Sequence, residues 1–162
     1  MRFEIVQEFP LDAGEVQTAY LDESFLVSMG SLPRLGAPEL LESSEQGSVI
    51  ERRIRYRFAG ELNSAVRAVV DPQRLTWVEE SRTDSTTFTT TWVIRPDHYA
   101  DKLSGQGTFL IEPSGTGCRR TATGEVKVNI FLVGGKVEGA IVSGMREHAV
   151  LERDALMAHL RG

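Results

Sequence analysis

Along residues 2–9, Phe3, Ile5, Gln7 and Phe9 alternate with Arg2, Glu4, Val6 and Glu8, the period of a half-buried strand that Pro10 then stops. Asp12 with Glu15 three residues on forms a capping-box signature, and Leu11 with Val16 is placed for a hydrophobic staple; a helix is therefore predicted to about Leu21, and a second short one over Glu23 to Met29. Gly30, Pro33, Gly36 and Pro38 interrupt any further helix. From there the chain reads almost wholly as strand. Residues 39–45 and 48–58 flank the turn Gln46-Gly47, and the second segment sets Ile50, Arg52, Ile54, Tyr56 and Phe58 on one face. The stretch 62–70 suits a short helix through Leu62, Val66, Val69 and Val70, while the Asp71-Pro72 turn equally suits a strand ending there; the helix is the reading taken. Further strands are predicted over Arg74–Arg82 (Leu75, Trp77 and Glu79 inward), Thr86–Arg95 (Phe88, Thr90, Trp92 and Ile94 inward) and Gly105–Glu112 (Phe109 and Ile111 inward).

The last strand and the last helix organise the rest. Arg120, Ala122, Gly124, Val126, Val128 and Ile130 alternate with polar residues, and Gly134-Gly135 ends the strand. At about 100° per residue, Val137, Ala140, Ile141, Gly144, His148, Leu151, Ala155 and His159 then fall on one helical face, with Met145 and Leu156 at its edge. Strand, two short helices, six strands and a long helix describe an α+β chain. Consecutive strands joined by short turns make an antiparallel meander of about seven strands, and the terminal helix is the one element long enough to cover its apolar face. That is a helix-grip fold.

Composition adds limits. The 162 residues suit one domain spanning 1–162, a size at which roughly 68–70% of the unfolded surface can be buried. A net charge of -5 argues against a general nucleic-acid surface, which needs a concentrated positive field. Arg53, Arg55 and Arg57 share a strand face with Glu51 and read as a solvated face or a small anionic contact. Cys118 stands alone, so neither an internal disulfide nor a cysteine metal motif is expected; no signal peptide or bilayer-spanning run is visible, and a cytoplasmic location is expected.

Candidate chemistry is sparse. No G-x-S-x-G, H-E-x-x-H, Walker, C-x-x-C or dinucleotide fingerprint occurs, and neither a metal nor a cofactor is expected. Gly134-Gly135 opens a helix, but the pair is read as a sharp strand-to-helix corner rather than a phosphate loop. His148 and Glu152, one turn apart, are the one candidate acid–base pair, with a structural ion pair as the alternative. Arg52, Glu79 and Arg120 fall on inward strand faces, where an unpaired charge is costly, so either one or two of them neutralise each other beneath the helix or a strand end leaves them in water. Tyr56, Phe58, Trp77, Phe88, Trp92 and Phe109 are the large inward side chains. They either interdigitate with the helix as core or, if the helix stands off, line a pocket together with Val137, Ile141, Gly144, Met145 and His148.

The element order and the corner Ile130-Phe131-Leu132-Val133-Gly134-Gly135-Lys136-Val137-Glu138 resemble the START-like, birch-pollen-allergen and polyketide-cyclase (SRPBCC) superfamily, and within it an actinobacterial domain family of unknown function. The resemblance covers the whole chain. It implies an apolar cavity between sheet and helix for a small hydrophobic partner such as a lipid, sterol or polyketide-like molecule. The superfamily also holds cyclases, dehydratases and partner-binding modules, so three readings stay open: a carrier, an enzyme using His148 and Glu152, and a protein-interaction module.

Overall fold

β1 (Arg2–Phe9) alternates exposed and buried residues along its whole length, as its polar–apolar alternation requires. The computed structural model describes residues 1–33 and 35–162. After β1 come α1 (Ala13–Leu21) and α2 (Glu23–Ser28), then β2 (Glu39–Gln46), β3 (Val49–Arg57), the single helical turn α3 (Ser64–Arg67), β4 (Thr76–Asp84), β5 (Thr89–Pro96), β6 (Leu103–Ser114), β7 (Gly117–Val128) and α4 (Gly134–Arg161). All seven strands form one antiparallel sheet in the order β1-β7-β6-β5-β4-β3-β2. The helix-grip architecture expected from the periodicities is present.

The capping box forms as read: the Asp12 carboxylate accepts from the Glu15 amide at 2.9 Å, and the Glu15 carboxylate accepts from the Asp12 amide at 3.2 Å. Several ends differ from the periodicity. β5 begins at Thr89, not Thr86, because Phe88 takes φ 57° inside the turn and so leaves the extended strand conformation. β6 is longer at both ends, since its pairing with β7 runs from Leu103↔Val128 to Ser114↔Gly117. The helix expected over 62–70 shrinks to the turn that Asn63 caps through its bond from the Val66 amide.

Two apolar clusters result. One gathers Phe3, Ile5, Trp92, Val126, Val137 and Val142 under the first half of α4. The other gathers Phe9, Val16, Phe25, Leu26, Ile54, Ile111 and Leu156 where α1, α2 and the second half of α4 meet the sheet. The buried stripe of α4 is rotated by roughly 60° from the predicted face: Val142 and Leu156 are buried whereas Ala140 and Leu151 are exposed. Side chains lean toward the helix N-terminus and the sheet is strongly twisted, so the contact face follows the sheet's curvature and not the centroid of hydrophobicity.

Trp92 occupies a slot made by missing side chains. Its ring stacks between Phe3 (centroids 6.2 Å apart) and Phe109 (5.9 Å), over the cross-strand pair Gly107↔Gly124. A Cβ on Gly107 would lie 2.8 Å from the indole Cζ2 and collide with backbone of β7. Gly107→Ala is therefore expected to lower stability by about 1–3 kcal/mol, measured by urea unfolding, while Gly135→Ala, whose Cβ meets open space, is expected to leave it nearly unchanged.

Candidate functional site

Between the two apolar clusters the inward face carries charge. Gln7 on β1, Arg120 on β7 and Ile111 on β6 are register neighbours, so the pairing alone sets the Gln7 and Arg120 side chains together beneath α4. Arg120 donates to the Gln7 Oε1 at 2.8 Å and to the Glu152 Oε1 at 3.3 Å. The Tyr20 hydroxyl of α1 donates to the same Glu152 oxygen at 2.7 Å, and Gln7 Nε2 donates to the Ala149 carbonyl at 2.7 Å. The Arg120 guanidinium is held flat between the Tyr20 ring (3.9 Å) and the Phe109 ring (4.0 Å). His148 Nε2 lies 3.5 Å from Glu152 Oε2.

Burial alone pushes the Glu152 carboxyl up, but the His148 hydrogen bond, the Arg120 and His148 charges and the Tyr20 hydroxyl override it and leave the carboxyl at about 2. Glu152 is thus an ionised anchor at any ordinary pH. Its partner is Arg120; of the two outcomes open for Arg52, Glu79 and Arg120, pairing within the trio is not the one formed.

Next to this network lies a cavity of about 130 Å³. Leu21, Leu26, Met29, Ile54, Phe88 and Ile111 form its apolar wall, and Arg52, Tyr56, Glu79, Ser81, Arg120 and Glu152 belong to the polar one. Gln17 on α1 also lines it and bonds the Ser85 carbonyl at 3.1 Å, tying the helix to the β4–β5 turn. The polar wall divides in two. Arg120 and Glu152 are satisfied by each other, Gln7 and Tyr20. Arg52, 7% exposed, spends Nη1 on the Tyr20 carbonyl at 3.1 Å, but its buried Nη2 has no partner. Among the described residues the Glu79 carboxyl likewise makes no hydrogen bond. Burial raises it to about 7, with the Arg120 charge opposing, Glu152 adding and Arg52 opposing.

Of the predicted ligand-contacting residues, Tyr56, Phe88 and Phe109 line this cavity. Trp77 stacks on Tyr56 at 5.9 Å, Phe58 bridges Leu35 beyond the end of β3, and Trp92, Val137, Ile141 and Met145 belong to the other apolar cluster. Gly144 and His148 are half-buried on α4 and outside the cavity wall. Of the candidate acid–base pair only Glu152 reaches the cavity. The inward surface expected to be mostly apolar is, at this point, charged. Gln7 could have been read from its inward place on β1; Tyr20 could not, because its ring direction depends on how α1 docks.

On the sheet's outer face, Arg53 pairs with Glu42 (3.2 Å), Arg55 with Asp97 (3.3 Å) and Arg95 with Glu80 (2.7 Å), a solvated ion-pair ladder. Among the described residues no helix is long and apolar enough to cross a membrane.

A seven-stranded antiparallel sheet gripping a long terminal helix is the fold that this chain shares with an aromatase/cyclase, Ara h 8 and norcoclaurine synthase. Residues 4–159 match the family described as protein of unknown function (DUF2505), and the chain belongs to that family. Similar solved structures include a protein from Thermus thermophilus (17% identity, 98% of this chain and 99% of that one, TM-score 0.69). The Zhui aromatase/cyclase of a Streptomyces species has 13% identity over 98% and 92% of the chains and a TM-score of 0.66. Norcoclaurine synthase of Thalictrum flavum has 16% identity over 99% and 86%, with a TM-score of 0.64. No curated protein matches the sequence significantly.

Proposed function

We propose that the chain binds a small, largely hydrophobic molecule in the cavity between α1, α2, α4 and the sheet. The observation that carries this reading is the cavity itself, about 130 Å³ with one apolar wall and one charged wall whose polar groups are only partly paired. Protein interiors rarely leave such space beside unsatisfied donors unless something occupies it. Similarity of fold to an aromatase/cyclase and to norcoclaurine synthase supports a small-molecule role. Volume narrows the class: a dry cavity of about 150 Å³ takes up benzene, whereas lipid and drug-sized pockets run to about 300–1,000 Å³. The favoured ligand is of one-ring size, and a lipid, sterol or polyketide chain requires α1 or the Phe88 turn to move outward. Catalysis through His148 and Glu152 is not favoured, since His148 stands outside the cavity and one Glu152 oxygen already accepts from Tyr20 and Arg120.

The test is a titration with benzyl alcohol, followed by heteronuclear NMR and thermal unfolding. Saturable shifts confined to cavity residues are expected, with stabilisation of about 2.7 kcal/mol at a hundredfold excess over the dissociation constant. Met29→Trp, which fills the apolar wall, should abolish both effects. Shifts scattered over the surface, or binding that survives Met29→Trp, would remove the cavity as the site.

A further inference from the structure

Two groups in the cavity wall are left open in a way that specifies the ligand's charge. Arg52 is buried to more than nine-tenths and lines the cavity, and its Nη2, enclosed by protein, has no partner, so its charge is not neutralised there. Glu79, one register step away because Ile54↔Glu79 and Arg52↔Ser81 are adjacent inward pairs, has a carboxyl that bonds to none of the described residues. The two form no ion pair within 4.0 Å, so neither completes the other. The remaining charge is already balanced: Arg120 is paired with Glu152 at 3.3 Å.

We propose that the cavity is an anion site, taking a small monocarboxylate of about one ring's bulk whose carboxylate lies against the Arg52 guanidinium charge and accepts a hydrogen bond from the protonated carboxyl of Glu79. This rests on the cavity being a binding site at all, and adds the charge of what binds there. With Glu79 protonated, the open wall carries one uncompensated positive charge, and a monoanion brings the site to neutrality. With Glu79 ionised, the wall is neutral before the ligand arrives, and a second carboxylate enters against a buried like charge. Binding therefore draws a proton onto Glu79. The groups facing Glu79 agree with this direction: Arg52 on β3 and Arg120 on β7 favour an anion in the cavity, Glu152 on α4 is held ionised by its own partners, and Tyr56 on β3 stays a neutral hydroxyl because burial raises it well above its ordinary value. Since the free Glu79 carboxyl titrates at about 7, the linkage falls inside an accessible range.

The experiment is isothermal titration of the full chain with benzoate and, separately, with the uncharged benzyl alcohol, at pH 6 and pH 8 in two buffers of different ionisation heat. Benzoate is expected to bind more tightly at pH 6, with affinity falling by up to about tenfold per pH unit above 7 and with up to one proton taken up at pH 8. Benzyl alcohol should show neither effect. Glu79→Gln should hold benzoate with an affinity independent of pH and no proton uptake, and Arg52→Gln should weaken benzoate at least tenfold. Benzoate binding without proton uptake, or equal affinity in wild type and Arg52→Gln, overturns the proposal, and the wild-type uptake measurement decides it even if a variant does not fold. Binding of benzyl alcohol with no binding of benzoate at either pH overturns the anion site and leaves the cavity reading standing. If neither molecule binds, the cavity reading itself falls with it.

Discussion

Replacing Glu152 with alanine is expected to destabilise the protein by about 3–5 kcal/mol, because it leaves Arg120 buried without a counter-charge and leaves the Tyr20 hydroxyl only its longer bond, to Gln7 Oε1 at 3.4 Å. Both partners are well covered, with side-chain exposures of 11% and 14%, so water cannot cheaply replace the lost carboxylate. Urea unfolding at pH 7 measures the loss. The double variant Arg120→Met, Glu152→Leu is expected to recover at least half of it, since removing both charges also removes the cost of burying them. A single-variant loss under 1 kcal/mol would mean that Arg120 reaches solvent when its partner is gone. The pH sense follows from the depressed carboxyl: Glu152 titrates at about 2 in the fold and near 4.5 when unfolded, so its contribution is complete above about pH 4.5 and is lost as pH falls toward 2.

Glu79→Gln is expected to act in the opposite direction, raising stability at pH 8 by about 3 kcal/mol and leaving it nearly unchanged below pH 4.5. The folded carboxyl titrates at about 7 and the unfolded one near 4.5, so between those values the folded chain holds the proton that the unfolded chain has released. Stability due to this group is whole below pH 4.5 and is lost as pH rises to 7. Together the two glutamates place the wild-type stability maximum near pH 4.5–5, with Glu152 setting the acid limb and Glu79 the neutral one. Unfolding of wild type and Glu79→Gln across pH 4–8 should give curves that diverge steadily between pH 4.5 and 7 and run parallel beyond. Parallel curves over the whole range would show that Glu79 ionises freely against water. A group that destabilises the neutral-pH fold this much is more readily understood as part of a binding wall than of a core.

The strand pattern was legible because a period of two reports a local fact, which side of the pleat a residue occupies. Inward Arg52, Glu79 and Arg120 were visible on that basis, as were the capping box at Asp12 and the order that makes a helix-grip fold. The short inward run at 62–70 was weaker, and it resolves to one capped turn. The face of α4 differs by roughly 60° because the helix follows the twist of the sheet and not the centroid of hydrophobicity, which also brings Glu152 to the covered side. That glutamate is on the buried stripe only because Arg120, Gln7 and Tyr20 arrive there from β7, β1 and α1. The same holds for the site. The meander, the gripping helix and the inward placing of the charges follow from backbone periodicity, which is local to each segment. Only the tertiary structure decided which charges meet, that Arg120 takes Glu152 while Arg52 and Glu79 stay open to a cavity of about 130 Å³, because pairing depends on distances between segments more than a hundred residues apart in the chain for Gln7 and Arg120.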